Sequence, residues 1–280
     1  MKIEAHAKVN LSLNVVRKRE DGYHELEMIM VPLTLHDDVT VELSEQDSYS
    51  CNMENLAIDE SNTVVKAVKL MKETYDIKEH FHVHMDKYIP MQAGLAGGSA
   101  DGAAVMKGIR ALLNLQIPIS ELSMLSKQVG ADVPFCVYDT PAVVKGIGED
   151  VTPINCQLDF EILLVKPQEG VPTGKAFSMI DFHTCEHPDY HKVQHAMETG
   201  DYKAFCESLG NTLEQPAFQI VSLIKGIKQE LLEMGFDGVL MSGSGSTVFA
   251  ISQNHKLIQE AYVQFKTKNC FVYQTKIART

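Results

Sequence analysis

The segment over residues 81–113 constrains the fold more than any other part of the chain, because its pattern changes twice. Its first residues alternate between apolar and polar side chains, with Phe81, Val83 and Met85 on one side, which is typical of a half-buried strand. A glycine-rich run follows Pro90, and beyond it apolar side chains recur at helical spacing. The sequence therefore predicts a strand, a glycine-rich turn and a helix, in that order.

This turn has the position and composition of a phosphate-binding loop. The first backbone N–H groups of a helix lack intrahelical acceptors, and the helix dipole favours an anion beside them. Gly94, Gly97 and Gly98 allow the backbone to approach a phosphate closely. We expect Ser99 to cap the helix and to offer its hydroxyl to a phosphate or a metal-bound water. The glycine spacing fits neither the dinucleotide-binding pattern nor the Walker pattern.

Composition limits the class of protein. The chain has 280 residues, of which 45% are hydrophobic and 22% charged, which is ordinary for a globular protein of one large or two modest domains. Its net charge of −12 argues against a general nucleic-acid or anionic-membrane surface. Without a long apolar run or a secretory signal we expect a cytoplasmic protein, and its six scattered cysteines are expected to be reduced thiols.

Two charged residues outside the glycine-rich turn are candidates for chemistry. Lys8 lies on the polar face of a predicted strand with His6 and Asn10, and local pattern alone favours a face that is exposed to solvent. Asp132 directly precedes the apolar run 133–137, where a carboxylate is costly to bury unless it is paired or functional. The alternative for Asp132 is an aspartate that caps a turn.

The histidines suggest a metal site only weakly. His80, His82 and His84 share one face of a predicted strand, but nothing in the local sequence supplies a cysteine or a fourth ligand. The histidines over residues 183–195 recur every four residues, but Pro188 interrupts that segment. The sequence therefore predicts no protein-held metal.

The second half of the chain has its own strands and helices. A strand is predicted over residues 161–166, helices over 190–209 and 216–234, and two further strands joined by a Ser/Gly loop at 242–246. Paired glycines near residue 147 indicate a turn at the end of a first unit. We expect two domains, over residues 1–154 and 155–280.

Residues 90–101, PMQAGLAGGSAD, resemble the phosphate loop of the GHMP small-molecule kinases. Three further stretches typical of that family occur in the expected order. AKVNL with DGYH comes before the loop, and GADVP and then SGSGST, at residues 242–247, come after it. Within the family the chain most resembles the 4-diphosphocytidyl-2-C-methyl-D-erythritol kinases. It departs from the usual pattern at Ala96 and Ala100, which replace glycine and serine, and at Asp139-Thr140, which replace a Gly-Gly pair.

The resemblance implies an α+β fold of two domains, the first like ribosomal protein S5 and the second ferredoxin-like, with the active site in the cleft between them. It implies ATP as phosphoryl donor with Mg²⁺, no nucleic-acid or membrane partner, and an acceptor that carries cytidine and is phosphorylated on its 2-hydroxyl. A homodimer is left open, as are the direct Mg²⁺ ligands.

The resemblance also assigns roles to individual residues. Asp132 would accept the hydroxyl proton, and Lys8 would keep Asp132 ionised and stabilise the developing charge. Tyr23 and His24 would receive the cytosine, with Phe177 closing over it opposite Tyr23. The residues implied at the ATP are Asn62, Pro90, Met91, Gln92, Ala93, Gly94, Leu95, Ala96, Gly97, Gly98, Ser99, Ala100 and Asp101. Those implied at the acceptor are Asn10, Tyr23, His24, Thr173, Phe177, Ser242, Gly243, Ser244 and Gly245.

Two alternatives remain. The first is a kinase of the same family that acts on mevalonate, a sugar or another small alcohol. The second is a nucleotide-binding protein with little catalysis, for which the altered loop residues Ala96 and Ala100 would be suited. Lys8 and Asp132 argue against the second alternative, because nucleotide binding alone requires neither.

Overall fold

A computed structural model describes residues 1–54 and 56–279, and it contains two antiparallel-rich sheets with helices packed against them. The strands are β1 Lys2–Lys18, β2 His24–Ser44, β3 Ser48–Cys51, β4 His80–Asp86, β5 Ala142–Gly146, β6 Asp150–Pro153, β7 Glu161–Lys166, β8 Gly210–Asn211, β9 Gly238–Met241, β10 Val248–Ser252 and β11 Phe271–Thr275. The helices are α1 Thr63–Tyr75, α2 Gly97–Leu112, α3 Ile119–Ser126, α4 Val133–Tyr138, α5 Thr173–Ser178, α6 Tyr190–Thr199, α7 Tyr202–Ser208, α8 Glu214–Ile220, α9 Leu223–Glu233 and α10 His255–Lys266.

The first sheet is organised around the long antiparallel pair β1 and β2. Its strands run in the order β3-β4-β2-β1-β8, and β5 pairs with β2 and with β6. Helix α2 packs on β1 and β2, where Gly108 permits a close approach: a Cβ there would lie 2.9 Å from methyl groups of Ile3 and Val41. The short strand β8 reaches back from the second half of the chain to pair in parallel with β1.

The second sheet has four antiparallel strands in the order β11-β7-β10-β9. Helices α9 and α10 contact this sheet. Its other side shares an apolar cluster with β1 and β2, in which Leu164 and Phe249 meet Val9, Leu11 and Val31. A continuous core of this kind ties the two sheets together, because the apolar area that they share is removed from water only when both are in place.

Several helical expectations need correction. The helix predicted over 190–209 is two helices, α6 and α7, because Gly200 adopts a left-handed conformation (φ 76°) that ends the first. The helix predicted over 216–234 begins earlier and is also divided, at Val221, which is extended. Ser99 does not cap the helix after the glycine-rich turn: α2 begins at Gly97, and Ala96 occupies the N-cap position in a left-handed conformation.

The connection between the two halves lies between β6 and β7, which end at Pro153 and begin at Glu161. A domain boundary at residue 154 falls within this connection and stays a prediction. Within the part of the chain that the structure describes, none of the helices has the length and apolar character needed to cross a membrane.

A buried group of three charges holds the start of the glycine-rich turn. Lys87, just beyond β4, donates hydrogen bonds to the carboxylates of Asp37 on β2 and Asp101 on α2. Asp37 also accepts from the backbone N–H groups of Tyr88 (2.5 Å) and Ile89 (2.8 Å). These contacts join β2, α2 and the residues leading into the turn, so the position of the turn depends on both the sheet and the helix.

The sharing of one ammonium group by two carboxylates affects protonation. Burial raises the pKa of Asp101 to about 7; the Lys87 ammonium opposes this rise and the Asp37 carboxylate adds to it. One oxygen of Asp101, Oδ1, is buried without a hydrogen-bond partner among the described residues. The folded state therefore retains a proton on Asp101 at pH values where an ordinary aspartate has lost it.

We expect Asp101→Asn to flatten the pH dependence of stability. Because the pKa of Asp101 is higher in the folded state than the ordinary 3.8, the wild-type free energy of unfolding should fall as pH rises between about 4 and about 7. Asparagine does not titrate, so its contribution is constant. Urea unfolding across this range measures the slope, with the exposed Asp159→Asn as control. An unchanged slope in Asp101→Asn would contradict the raised pKa.

Candidate active site

A cleft of about 1130 Å³ opens between the loops of the two sheets. The glycine-rich turn, the strand β1, Ala131-Asp132 and the segments 171–182 and 243–245 line it. All of the residues predicted at the ATP and the acceptor line this cleft, with the exceptions of Ala100 and Ser242, which are buried behind it. The tertiary structure thus brings together residues from across the chain that the sequence analysis selected separately.

The glycine-rich turn and the Ser/Gly loop at 242–246 are in direct contact. The Ser242 hydroxyl donates to the carbonyl oxygen of Gly94 (2.9 Å), and the Thr247 N–H donates to that of Ala93 (3.3 Å). Gly94 has a φ of 72°, and a Cβ at this position would clash with the carbonyl oxygen of Ser242. Ser242 therefore joins the two loops and does not face the cleft itself.

The turn is also anchored to the first sheet and to α1. The backbone N–H of Lys8 donates to the carbonyl oxygen of Leu95 (3.1 Å), and the Thr63 hydroxyl donates to that of Gly98 (2.6 Å). Asn62 caps α1, its side chain accepting from the Val64 N–H at 2.9 Å. These anchors aim the first N–H groups of α2 into the cleft, where a helix N-terminus favours an anion.

Lys8 and Asp132 form an ion pair at the centre of the cleft. The Lys8 Nζ lies 3.7 Å from Asp132 Oδ2 and donates to Asn10 Oδ1 at 2.7 Å. The Lys8 side chain is 4% exposed and that of Asp132 is 36% exposed, so the ammonium is enclosed while the carboxylate reaches the open cleft. Asp132 precedes α4 but makes no capping hydrogen bond, and its carboxylate remains available.

Local irregularities of β1 set the direction of Lys8 and Asn10. The pairing of β1 with β2 shifts register between His6 and Lys8 and again between Asn10 and Ser12. A β-bulge re-aims side chains relative to a regular strand. The polar face predicted for this strand is in fact buried at both residues, with Lys8 3% and Asn10 1% exposed, so the alternative of a solvent-exposed face is wrong.

Aromatic side chains line the far end of the cleft. His24 stacks on Phe177, with ring centroids 4.8 Å apart, and Phe182 lies 6.3 Å from His24. Burial, followed by the nearby charge of Lys18, holds the pKa of His24 below its ordinary 6.5, so the imidazole is neutral at pH 7. Tyr23 is 58% exposed at the rim. Phe177 thus lies against His24 in this structure, whereas the sequence analysis placed it opposite Tyr23.

The Ser/Gly loop completes the wall beside the glycine-rich turn. The hydroxyls of Ser244 and Thr173 are 2.8 Å apart, linking this loop to the start of α5. The Gly243 carbonyl oxygen accepts from Asn211 Nδ2 (2.8 Å), which fixes the loop to β8. A Cβ at Gly243 would lie 3.3 Å from Lys8 Nζ, so a larger residue there would crowd the ammonium group.

The sequence analysis missed several residues that line the cleft, including Lys18, Thr63, Lys87 and Phe182. For Lys87 a signal was present, because it is a cation placed just before the glycine-rich turn. Phe182 follows Phe177 by five positions in a segment without periodicity, and no local pattern distinguishes it. The described residues include no further charged pair at the centre of the cleft besides Lys8 and Asp132 and the Lys87 group.

Comparisons with known proteins agree with this architecture. Residues 62–140 match the family described as GHMP kinases N terminal domain, and residues 193–270 match GHMP kinases C terminal. A 4-diphosphocytidyl-2-C-methyl-D-erythritol kinase from Clostridium tetani (strain Massachusetts / E88) is 40% identical over 278 residues, covering 99% of both chains.

Solved structures show the same arrangement. A crystal structure of 4-(cytidine 5'-diphospho)-2C-methyl-D-erythritol kinase superposes with a TM-score of 0.83 at 28% identity, covering all of both chains. A homoserine kinase from Cytophaga hutchinsonii superposes with a TM-score of 0.77 at 19% identity, covering 98% of this chain and 95% of the other, and shows the shared fold alone. The two-domain architecture, the ordered motifs and the full-length identity together mean that this chain is a small-molecule kinase that belongs to the 4-diphosphocytidyl-2-C-methyl-D-erythritol kinase family of the GHMP kinases.

Proposed function

We propose that this kinase transfers the γ-phosphoryl group of ATP to the 2-hydroxyl of 4-diphosphocytidyl-2-C-methyl-D-erythritol, in isoprenoid precursor biosynthesis. The observation that carries the proposal is the Lys8–Asp132 pair, 3.7 Å apart, between the glycine-rich turn and the stacked rings of His24 and Phe177. A donor phosphate on one side and a base-binding pocket on the other would leave the reacting hydroxyl beside this pair. The names of the full-length relatives support the same acceptor.

The glycine-rich turn would hold the triphosphate. Its backbone N–H groups at the start of α2 can donate to phosphate oxygens without a side chain in the way, because Gly97 and Gly98 have no Cβ. The net charge of −12 does not oppose this, since local N–H donors and the helix dipole act at contact distance, whereas distant surface charges are screened.

Mg²⁺ fits the oxygen donors available beside the turn. The unpartnered Asp101 Oδ1 and the half-buried Ser99 hydroxyl are the side-chain oxygens that would hold it, and Mg²⁺ prefers such ligands. When bound with the nucleotide, the ion would neutralise charge on the phosphate oxygens. Positioning of the acceptor and handling of its proton remain with the residues of the chain.

Asp132 would accept the proton of the attacking hydroxyl. Its carboxylate faces the open cleft and is not used in capping α4, so it can form a hydrogen bond to an alcohol. The enclosed Lys8 ammonium would favour the ionised carboxylate and stabilise negative charge on the attacking oxygen. Asn10, which accepts from Lys8, would keep the ammonium in place.

The aromatic end of the cleft would bind the cytosine. A flat base can stack on the Phe177 ring, and the neutral His24 imidazole can donate one hydrogen bond and accept another at the polar edge of the base. Tyr23 at the rim is exposed enough to close over a base once it is bound. This pocket distinguishes a cytidylated acceptor from a small alcohol, which would leave it empty.

The acceptor is tested by measuring ADP release with ATP and Mg²⁺. We expect turnover with 4-diphosphocytidyl-2-C-methyl-D-erythritol and none with the same alcohol phosphate lacking cytidine or with mevalonate, because only the first fills the aromatic pocket. Turnover with mevalonate or the uncytidylated alcohol instead would keep the assignment as a kinase and exclude the cytidylated alcohol as its acceptor. Measurable ATP binding without turnover on any of the three would instead favour a binding protein.

We expect Asp132→Asn to lower kcat by at least about 10²-fold, because a positioned general base typically contributes about 10²–10⁴-fold. ATP affinity should be retained, since the nucleotide is held by the glycine-rich turn. Steady-state kinetics and ATP titration measure the two quantities. The exposed Asp150→Asn serves as control for loss of a carboxylate. Turnover at the wild-type rate in the Asp132→Asn variant would show that Asp132 is not the general base.

We expect Phe177→Ala to raise KM for the cytidylated acceptor by about tenfold, because base–aromatic stacking is worth roughly 1–3 kcal/mol. KM for ATP should not change, since the nucleotide site lies at the other end of the cleft. Tyr273→Ala, an aromatic truncation on the outer strand β11, is the matched control. Equal KM values for the acceptor in wild type and Phe177→Ala would argue against cytosine stacking on this ring.

A further inference from the structure

The hairpin of β1 and β2 brings four polar side chains together. Its register sets Glu4 opposite Asp38 and His6 opposite His36. Ala5 and Ala7, the neighbours of His6 along β1, are both buried. The four polar residues therefore form a cross-strand group that plays no part in the mechanism above.

The distances within this group match those around a metal ion. His6 Nε2 lies 3.3 Å from Glu4 Oε2, and His36 Nε2 lies 3.9 Å from Glu4 Oε1. One ligand atom from each of Glu4, His6 and His36 lies within 4.8 Å of the other two. In a tetrahedral Zn²⁺ site with bonds of about 2.0–2.1 Å, ligand atoms are about 3.3 Å apart. The His6–Glu4 pair already has this spacing, and the remaining atoms need only side-chain adjustments.

In both histidines, Nε2 is the ring nitrogen near Glu4, and Nδ1 lies beside a hydrogen-bond acceptor. His36 Nδ1 lies 2.8 Å from the Thr34 carbonyl oxygen, which only accepts, so Nδ1 carries the proton and the lone pair is on Nε2. His6 Nδ1 lies 3.1 Å from both carboxylate oxygens of Asp139, which orients a neutral His6 in the same way. Metal-ligating histidines characteristically donate their second N–H to a carboxylate or a carbonyl.

The surrounding charges favour a cation. Asp38 Oδ1 lies 3.8 Å from His36 Nε2 and can supply a fourth ligand atom, although Lys2 also contacts Asp38 at 3.0 Å. Lys107 pairs with Asp139 at 3.1 Å. Three carboxylates thus face two ammonium groups, which leaves a net negative charge around the two imidazoles. A protonated His6 between Glu4 and Asp139 is the competing arrangement, and it requires no metal.

From this geometry we propose that Glu4, His6 and His36 form a binding site for a divalent transition-metal ion such as Zn²⁺. Two imidazole nitrogens and a carboxylate suit Zn²⁺ and similar ions, whereas Mg²⁺ and Ca²⁺ prefer oxygen ligands alone. The site is therefore separate from that of the nucleotide Mg²⁺. The sequence analysis did not find it because the two histidines are thirty positions apart and meet only through the register of the hairpin.

The site touches both elements that carry the catalytic pair. His6 precedes Lys8 on β1 by two residues, and Asp139 is the C-cap of α4, whose N-cap is Asp132. A bound metal would restrain His6 and, through Asp139, the far end of α4. The metal would thus stabilise the local framework of Lys8 and Asp132 without contacting either residue.

Calorimetric titration of metal-free full-length protein with ZnCl₂ tests the proposal, at about pH 7.5, where an ordinary histidine is mostly neutral. We expect one Zn²⁺ per chain that excess MgCl₂ does not displace. His36→Gln and Glu4→Gln should each weaken binding by at least about tenfold, because changes even to second-shell partners cost about 10–100-fold. Glu4 is exposed, so its variant should fold normally.

The matched control is His84→Gln on β4 of the same sheet. His84 is also half-exposed and lies 3.3 Å from a carboxylate of Asp86, but among the described residues no second histidine nitrogen pairs with that carboxylate. We expect Zn²⁺ affinity in this variant to equal that of the wild type.

Long-range ¹H–¹⁵N NMR supplies a readout that does not depend on activity. Zn²⁺ should shift the Nε2 resonances of His6 and His36 while both Nδ1 atoms stay protonated. Absence of saturable Zn²⁺ binding would overturn the proposal and leave the protonated His6 network. Tight binding that survives both His36→Gln and Glu4→Gln would also overturn it, because the metal would then reside elsewhere, for example on the free thiols.

Discussion

The enclosed ammonium group of Lys8 is the constraint around which the catalytic centre is built. An ammonium that is almost fully removed from water is tolerated only when charges and hydrogen-bond acceptors compensate for its lost hydration. Asn10 and Asp132 supply that compensation, and the Lys8 backbone N–H holds Leu95 of the glycine-rich turn. The bulges of β1, the start of α4 and the turn must all be placed correctly for this arrangement to form.

The two glycine-containing loops show how closely the halves of the molecule approach. Gly94 lies against the carbonyl oxygen of Ser242, in a space that excludes a Cβ, and Gly243 lies against Lys8. The loops thus form one surface, held by hydrogen bonds from Ser242 and Thr247. On the other side, the buried charges of Lys87, Asp37 and Asp101 fix where the turn begins. The cleft is therefore preorganised by contacts that lie behind its lining residues.

Much of this could be predicted from local patterns. The strand, glycine-rich turn and helix over residues 81–113 follow from a change of hydrophobic period, and the structure has them in that order. The four ordered motifs led to the α+β kinase fold, which the comparisons confirm. The first and last residues of individual helices were predicted less well. Ala96 rather than Ser99 is the N-cap of α2, because the turn imposes a left-handed conformation there that capping preferences do not predict.

By itself, therefore, the sequence determined the fold class and the kinase family through the resemblance of its four ordered motifs, and with them many of the residues that come together in the cleft. Only the tertiary structure decided that Phe177 stacks on His24, that Lys87 is shared by two aspartates, and that His6 meets His36. Each of these contacts joins residues that are distant in the chain. Their spacing depends on strand register and on the packing of whole elements, and no local pattern of side chains encodes it.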